Sequence, residues 1–310
     1  MALIWVTGVR GFIGRHLARH LHRAGHSVAG VGHGAWSALE FSAWGLDEWV
    51  EGDVGAAALG QLIRSQGRPS AVFHLAGGAS VGEAIARPLE DFRRTVASTA
   101  MLLEWLRTES PGTRLFAVSS AAVYGADHAG SIPEDGAMRP VSPYGQHKLM
   151  MEGLCESYSG TFGLRTHVIR LFSVYGSELR KQLLWDVCRK LSAGAERLEL
   201  GGTGGELRDW TSVDDVVRAI THIWAAEDAA PATCNAATGS GTRVRDLVTA
   251  LLREWGAEVE VTFTGKARPG DPRCLVADTR RLNGLGFRCE TALTSGVRQY
   301  VDWYRREHGA

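Results

Sequence analysis

Short apolar runs alternate with helical patterns over the first 170 residues of the chain. The apolar runs predict buried strands at 3–7, 27–31, 71–76, 115–119 and 166–171. Between them, apolar residues three or four positions apart predict helices at 12–25, 56–66, 89–108 and 143–159. This order of strand, helix and strand indicates βαβ crossovers, and hence an α/β fold whose parallel sheet has helices on both faces.

The alternation becomes less regular after residue 172. Helical patterns lie at 180–193, 213–226, 243–255 and 293–306, with a short strand near 232–236. No composition break or flexible linker separates this part from the first. We therefore expect a large sheet domain followed by a smaller C-terminal α/β lobe.

Composition narrows the class of protein. The chain has 310 residues with 45% apolar content, and its 34 basic residues balance its 34 acidic ones, so there is no charge bias toward nucleic acid or anionic membrane. No apolar run approaches the ~20 residues of a membrane span, and the first residues do not resemble a signal peptide. Five scattered cysteines without a C-x-x-C pair argue against disulfides and a metal site. We expect a soluble cytoplasmic enzyme.

A glycine-rich loop follows the first strand and opens the first helix. In TGVRGFIG (7–14), Gly8 allows a tight turn, Gly11 lets the backbone approach a pyrophosphate, and Gly14 lets the helix lie close to the strand. The positive N-terminus of the helix then faces the phosphates. Together with Phe12 and Ile13, these glycines form the predicted dinucleotide site.

The ends of the next two strands bear on which dinucleotide binds. An acidic residue at the end of the second strand normally bonds the adenosine ribose, but this chain has Gly32 and His33 there. The missing carboxylate favours NADP, and His33 is either a contact to its 2′-phosphate or an ordinary loop residue. Asp53, followed by Val54, either bonds the adenine amine or caps the next helix.

Tyr144 and Lys148 have the i, i+4 spacing that places both on one helix face, and Ser142-Pro143 marks the start of that helix. A lysine ammonium beside a phenol is expected to lower the pKa of the tyrosine and make it a usable general base. The strand before this helix ends in Ser119-Ser120, at the edge of a parallel sheet where ligands bind. The alternative role of these serines is a cap or turn.

The motifs TGVRGFIG, GDV, HLAG, SSAAVYG, SPYGQHK, ELRDWTSVDDVVRAI and RPGD occur in the order seen in extended short-chain dehydrogenases. Over essentially its whole length the chain resembles the NAD-dependent epimerase/dehydratase family. The resemblance implies a Rossmann-type doubly wound domain over 1–172, with 213–238 returning to it. Residues 173–212 and 239–310 would then form a lobe that holds a nucleotide-diphosphate sugar.

The resemblance also implies roles for individual residues. Ser120 matches the serine that bonds the sugar 4-oxygen, Tyr144 the acid/base and Lys148 its partner. The segment that lies along the NAD or NADP cofactor corresponds to Leu75, Ala76 and Gly77. The residues expected at the substrate are Ser120, Ala121, Ser173, Arg208 and Arg268, of which the two arginines match those that grip the diphosphate.

The sequence of the loop after Ser120 indicates which of the family's reactions is expected. The family's 4,6-dehydratases carry an Asp-Glu pair where this chain has Ala121-Ala122, so dehydration is not expected. The first hypothesis is a nucleotide-sugar 4-epimerase that oxidises C4 transiently. The alternative is an NAD(P)H-dependent reductase of a 4-keto-6-deoxy nucleotide sugar, favoured by His33 and by Ser173 in place of a frequent asparagine. A non-catalytic cofactor-binding sensor or scaffold is the third possibility. By analogy we expect a homodimer, with polysaccharide biosynthesis among the compatible pathways.

Overall fold

The computed structural model describes residues 1–266 and 272–309. In chain order, the strands of these ranges are β1 Leu3–Thr7, β2 Ser27–Gly32, β3 Glu48–Glu51, β4 Ala71–His74, β5 Arg114–Ser120, β6 Ser131–Ile132, β7 Thr166–Leu171, β8 Ser173–Tyr175, β9 Arg197–Leu200, β10 Leu207–Ser212, β11 Thr233–Ala236, β12 Gly241–Arg243, β13 Glu260–Phe263 and β14 Cys274–Ala277.

The helices of the same ranges are α1 Phe12–Arg23, α2 Ala38–Ala43, α3 Ala56–Gln66, α4 Val81–Ala86, α5 Pro88–Phe92, α6 Ser98–Glu109, α7 Pro143–Phe162, α8 Gln182–Ser192, α9 Val213–Ala225, α10 Val244–Trp255, α11 Arg280–Gly284 and α12 Leu293–His308. A π-helical turn, Arg93–Ala97, joins α5 to α6. The predicted helix at 89–108 is therefore continuous but irregular. None of the described helices is long and apolar enough to span a membrane.

The chain divides into two units. The first contains Met1–Tyr124, Ala137–Leu171 and Ile220–Cys234, and it is built on a seven-stranded sheet of order β11-β7-β5-β4-β1-β2-β3. The pairs β3-β2, β2-β1, β1-β4, β4-β5 and β5-β7 are all parallel. The strand order reverses at β1, which has β2 on one side and β4 on the other, so the crevice for a ligand lies at the carboxyl ends of these strands.

Helices cover both faces of this sheet because the strands are apolar on both sides. Trp5 of β1 packs on Trp105 of α6, with ring centroids 5.4 Å apart, inside a buried cluster that α3 and α7 complete. Phe73 of β4, one position out of register with Trp5, packs instead on Trp224 of α9. The period-two alternation of a strand sends these neighbouring side chains to opposite faces.

The second unit contains Gly125–Gly136, Phe172–Ala219 and Asn235–Ala310. Its larger sheet has the order β12-β10-β14-β6, and β8 also pairs with β10. A separate two-stranded sheet joins β9 to β13 in parallel. Residues 125–136 belong to this unit because β6 pairs with β14, a long-range pairing that the local sequence pattern does not reveal.

Candidate active site

The loop between β1 and α1 is shaped by its glycines. Gly8 has φ +68°, and a Cβ there would lie 2.7 Å from the amide nitrogen of Ala76. A Cβ on Gly14 would lie 2.6 Å from the carbonyl oxygen of Gly8, so only glycine allows α1 to approach β1 so closely. Gly11 directly precedes α1, and a Cβ on it would lie 3.0 Å from the carbonyl oxygen of Gly8. Gly8 and Gly14 thus serve the turn and the packing, and the approach of a pyrophosphate to Gly11 stays a prediction.

The first turn of α1, which begins with Phe12 and Ile13, suits an anionic ligand. Gly11 provides no side-chain cap for the helix, and no acidic residue lies in the first turn. The N–H groups of that turn and the positive end of the helix dipole are therefore available to a pyrophosphate. The residues present fit the diphosphate of a nicotinamide dinucleotide.

At the ends of β2 and β3, the structure brings two predicted residues together. His33 Nε2 lies 3.0 Å from Asp53 Oδ1, and both side chains are exposed. Gly32 is buried, with the position of a Cβ only 3.1 Å from the ring of Trp49, while Val54 lies in the core. The residue before α3 is Gly55, and this helix has no side-chain cap, so Asp53 does not cap it.

The segment after β4 passes close to the predicted catalytic lysine. Leu75 and Ala76 follow the buried His74, and Gly77 has φ +148°. A Cβ on Gly77 would lie 3.3 Å from Lys148 Nζ. The predicted cofactor segment and the predicted catalytic helix therefore adjoin each other.

Ser120, Tyr144 and Lys148 all belong to the first unit. Ser120 ends β5, where its hydroxyl accepts a hydrogen bond from the Ala122 amide (3.2 Å) and shares another with the Tyr144 hydroxyl. The serine therefore caps the short 3₁₀ turn Ala121–Val123, as the alternative interpretation proposed, and also contacts the tyrosine. Ser142 caps α7 by accepting from the Gly145 amide at 3.2 Å, which fixes Tyr144 in the first turn.

Lys148 is buried one turn further along α7. Its ammonium donates to the carbonyl oxygen of Val118 at 2.9 Å. Burial lowers the pKa of this lysine to about 8, against the opposing effect of the negative charges of Asp91 and Glu152. The ammonium is therefore mostly charged at pH 7, but it is much easier to deprotonate than an exposed lysine.

The expected lowering of the pKa of Tyr144 is wrong for the protein alone. Burial raises the pKa of the phenol, and the hydrogen bond with Ser120 offsets only part of that shift. Because burial lowers the pKa of Lys148 to about 8, the lysine is already neutral at the pH where the phenol titrates. A neutral amine does not stabilise a phenolate electrostatically.

A buried ion pair supports the catalytic strand and helix. The guanidinium of Arg170 forks onto Glu152, with Nη2 2.7 Å from Oε2 and Nε 3.0 Å from Oε1, and Nη1 donates to the Tyr124 hydroxyl at 2.8 Å. The Ser119 hydroxyl donates to Glu152 Oε1 at 2.5 Å. Ser119, unlike Ser120, is thereby tied to the interior, and Glu152 joins β5, β7 and α7.

The remaining predicted substrate residues belong to the second unit or lie outside the described residues. Ser173 opens β8 and pairs with Trp210 of β10. Arg208, on β10, is mostly buried, and its Nη1 donates to the carbonyl oxygens of Leu207 (2.8 Å) and Pro272 (2.7 Å). Arg268 lies outside the described residues, and its role stays a prediction.

Two residues near the catalytic helix were not singled out from the sequence. Asp91 of α5 is buried, and His147, between Tyr144 and Lys148, places its Nδ1 2.5 Å from Asp91 Oδ2. The charge of Asp91 raises the pKa of Lys148. Each of these residues lies in a segment whose sequence is that of an ordinary polar helix face, so the local sequence does not indicate that the two form a pair. Among the described residues, no cluster of His, Cys, Asp and Glu has the arrangement of a metal site.

Comparisons with known proteins agree with this geometry. The family model described as the NAD dependent epimerase/dehydratase family matches residues 4–237. UDP-glucose 4-epimerase of Azospirillum brasilense is 31% identical over 97% of this chain and 92% of its own length. The enzyme of the same name from Mycolicibacterium smegmatis is 30% identical over 97% of this chain and 98% of its own.

A solved structure shares the same architecture. MoeE5 in complex with UDP-glucuronic acid and NAD has a TM-score of 0.86 and 31% identity, with 98% of this chain and 99% of that chain covered. The predicted fold class, a Rossmann-type parallel sheet flanked by helices, is confirmed. The chain therefore belongs to the NAD-dependent epimerase/dehydratase family.

Proposed function

We propose that this protein is an NAD-dependent nucleotide-sugar 4-epimerase. The observation that carries the proposal is the contact of the Ser120 hydroxyl with Tyr144 one helical turn from the buried ammonium of Lys148. In the family to which the chain belongs, relatives that match over nearly its whole length are named UDP-glucose 4-epimerase. A UDP-sugar is therefore the substrate class that we propose.

The residues divide the proton chemistry between them. Tyr144 takes the proton of the sugar 4-hydroxyl and returns it once the 4-ketose has presented its other face. Ser120 holds the same sugar oxygen through its hydroxyl. NAD⁺ held at the glycine loop 7–14 and the segment 75–77 would supply a positively charged ring that favours the phenolate, and an acceptor for the C4 hydride. Lys148 adds its own positive charge below about pH 8.

The turn after Ser120 supports epimerisation over dehydration. Ala121 is buried and Ala122 follows it, so this turn carries no carboxylate that acts as an acid or base on C5 and C6 of the sugar. For a 4-keto sugar formed here, hydride return to C4 is therefore favoured over elimination across C5 and C6. The relatives also favour an epimerase over the reductase alternative.

We propose NAD rather than NADP as the cofactor. The absence of an acidic residue at the end of β2 favoured NADP, but the Asp53 carboxylate lies 3.0 Å from His33, at this same edge of the sheet. A carboxylate there disfavours a 2′-phosphate by repulsion. MoeE5, a structural neighbour, was solved with NAD. Competition between ADP-ribose and its 2′-phosphate for the protein would test this choice.

Epimerase activity is tested with UDP-glucose, UDP-galactose and UDP-glucuronic acid, each deuterated at C4. An epimerase converts one of them to its C4 epimer with the deuterium retained, and the purified protein releases near-stoichiometric NAD when denatured. Consumption of NADPH by a 4-keto-6-deoxy sugar without epimerisation would instead establish a reductase.

Tyr144→Phe should lower kcat by about a hundredfold or more, in the range for loss of a general acid/base. Tyr158→Phe is the matched control, because Tyr158 lies on the same helix but bonds Glu104 at the surface (3.2 Å). Equal kcat of the Tyr144 variant and the wild type would refute the catalytic assignment of Tyr144, whereas a wild type without any turnover would favour the scaffold alternative.

We infer that the protein forms a homodimer through the helices α4–α7. Val81, Ile85, Leu89, Met101 and Met150 expose apolar surface on these four helices. Exposed apolar residues on adjoining elements are typical of a protein interface. Sedimentation equilibrium would show the mass of two chains. The five free thiols suit the reducing cytoplasm, which we propose as its location.

A further inference from the structure

His74 lies at the end of β4, directly before the segment Leu75–Gly77. The imidazole is fully buried, and both of its nitrogens have a threonine hydroxyl as partner: Nδ1 lies 2.7 Å from Thr7 Oγ1, and Nε2 lies 2.9 Å from Thr99 Oγ1. Nothing in the proton chemistry proposed above uses this side chain.

Thr7, His74 and Thr99 form a hydrogen-bond network, and the position of each of its protons follows from which groups can donate. The Thr99 hydroxyl has one proton, which it donates to the carbonyl oxygen of Thr95 at 2.6 Å. Thr99 must therefore accept from the ring, which places a proton on Nε2 of His74. In a neutral imidazole, Nδ1 is then an acceptor, and the Thr7 hydroxyl donates to it.

The ring is neutral as well as fixed in one tautomer. Burial, and to a lesser degree the charge of Lys148, hold the pKa of His74 at about 3. A protonated ring would place a second buried cation beside the lysine ammonium without a counter-charge of its own. The network therefore has the same protons at any pH at which an enzyme works.

Both ends of the network reach the backbone of the predicted cofactor segment. The oxygen of Thr7 accepts from the amide of Ala76 at 3.2 Å, and Thr95 Oγ1 accepts from the amide of Gly78 at 2.8 Å. Gly77, held between them, is the residue whose Cβ position lies 3.3 Å from Lys148 Nζ. The Ala76 amide is thus held by a threonine that His74 contacts, and the Gly78 amide by Thr95, whose carbonyl oxygen accepts from the other threonine that His74 contacts, Thr99.

We propose that His74 is a positioning residue that connects Thr7 to Thr99 through its two ring nitrogens and thereby holds the backbone of Ala76–Gly78 in the conformation that receives NAD. The proposal rests on the cofactor assigned above, but it does not depend on which sugar is turned over. His74 is itself fully buried, and its effect on this segment is transmitted through Thr7 on one side and through Thr99 and Thr95 on the other.

The proton arrangement is tested directly in the wild-type protein. In long-range ¹H–¹⁵N spectra of protein labelled with ¹⁵N-histidine, His74 should show the Nε2–H tautomer and no titration between pH 5 and 9. Its signals are assigned by their loss in His74→Phe. An Nδ1–H tautomer, or a titration within this range, would overturn the proposal without any variant having to function.

The effect on the cofactor is measured as the Kd of NAD for protein stripped of nucleotide. Thr99→Val removes the acceptor of Nε2 and should raise the Kd by about tenfold or more, as expected for one buried hydrogen bond lost and its partner left unsatisfied. Thr99→Ser keeps the hydroxyl and should restore binding. His167→Phe is the control, because His167 lies on β7, away from this network, and its Nδ1 lies 3.0 Å from the carbonyl oxygen of Pro231.

The outcomes separate this proposal from the proposed function. Normal NAD binding by Thr99→Val would refute the positioning role of His74 and leave the epimerase proposal intact. A wild-type protein that binds NAD but turns over no nucleotide sugar would refute the epimerase and leave the role of His74 intact. A wild-type protein that binds no NAD would refute both.

Discussion

Replacement of Lys148 by methionine should abolish activity and at the same time make the protein more stable at pH 7. Lys148 is only 4% exposed, and burial lowers its pKa from 10.5 to about 8. At ~1.36 kcal/mol for each pH unit, this difference means that the folded protein disfavours the charged lysine by about 3 kcal/mol, as the net effect of burial and of the nearby carboxylates. Methionine has a similar length and carries no such penalty.

The stability gain is smaller than the full penalty because the substitution also removes a hydrogen bond. The carbonyl oxygen of Val118 loses its donor at 2.9 Å, at a cost of about 1–2 kcal/mol. We therefore expect Lys148→Met to raise the free energy of unfolding by about 1–2 kcal/mol at pH 7. Urea unfolding followed by circular dichroism measures this difference.

The pH dependence of the gain identifies its cause. The pKa of Lys148 is lower in the folded protein than in the unfolded chain, so the unfolded chain binds more protons between about pH 8 and 10.5. The wild type therefore becomes more stable, relative to the variant, as the pH rises through that window. The advantage of Lys148→Met should shrink or reverse between pH 7 and pH 10.

Lys190→Met is the matched control, because Lys190 also donates to a backbone carbonyl, that of Glu199 at 3.1 Å, but at the surface. It should change stability little at either pH. A Lys148 variant that is less stable than the wild type at pH 7, with a difference that does not vary with pH, would show that burial of the ammonium carries no penalty.

Three further predictions follow from the site. Gly8→Ala should weaken NAD binding at least about tenfold, because the new Cβ would lie 2.7 Å from the Ala76 amide at φ +68°; calorimetric titration measures the loss. Glu152→Gln should lower the free energy of unfolding by about 3 kcal/mol, since it leaves the Arg170 guanidinium buried without its counter-charge; an unchanged urea midpoint would contradict this. Arg268→Ala should mainly raise KM if the arginine binds the diphosphate equally in ground and transition states, and a normal KM would show that the diphosphate lies elsewhere.

The sheet of the first unit could be predicted because its determinants are local. The five predicted strands from 3–7 to 166–171 are largely apolar, and each predicted helix between them has an apolar face, so the period of the pattern identifies both. The strand β3, with a glutamate at each end, has no such run and was not predicted from the pattern. The strands β6, β8 and β12 are only two or three residues long. Strands this short show no periodic pattern, and their partners are distant in sequence. The second unit could therefore not be predicted in detail.

The candidate site likewise contains residues that the sequence could indicate and contacts that it could not. Ser120, Tyr144 and Lys148 stand at fixed positions relative to a strand end and a helix start, and such positions can be counted along the chain. The partnership of Asp91 with His147, 56 residues apart, depends on how two helices meet. The pKa of Tyr144 was mispredicted for a related reason, because burial is a property of the packed structure.

The π-helical turn Arg93–Ala97 makes the site sensitive to chain length at one place. A π turn contains one residue more than an α turn, so deletion of a single residue there would allow α5, the turn and α6 to become one regular α-helix. That deletion would rotate α5 by about 100° relative to α6. Asp91 would leave His147 while Thr99 stayed beside His74. Loss of one residue at this turn would therefore take away the carboxylate whose charge raises the pKa of Lys148 and leave the contact of Thr99 with His74 in place.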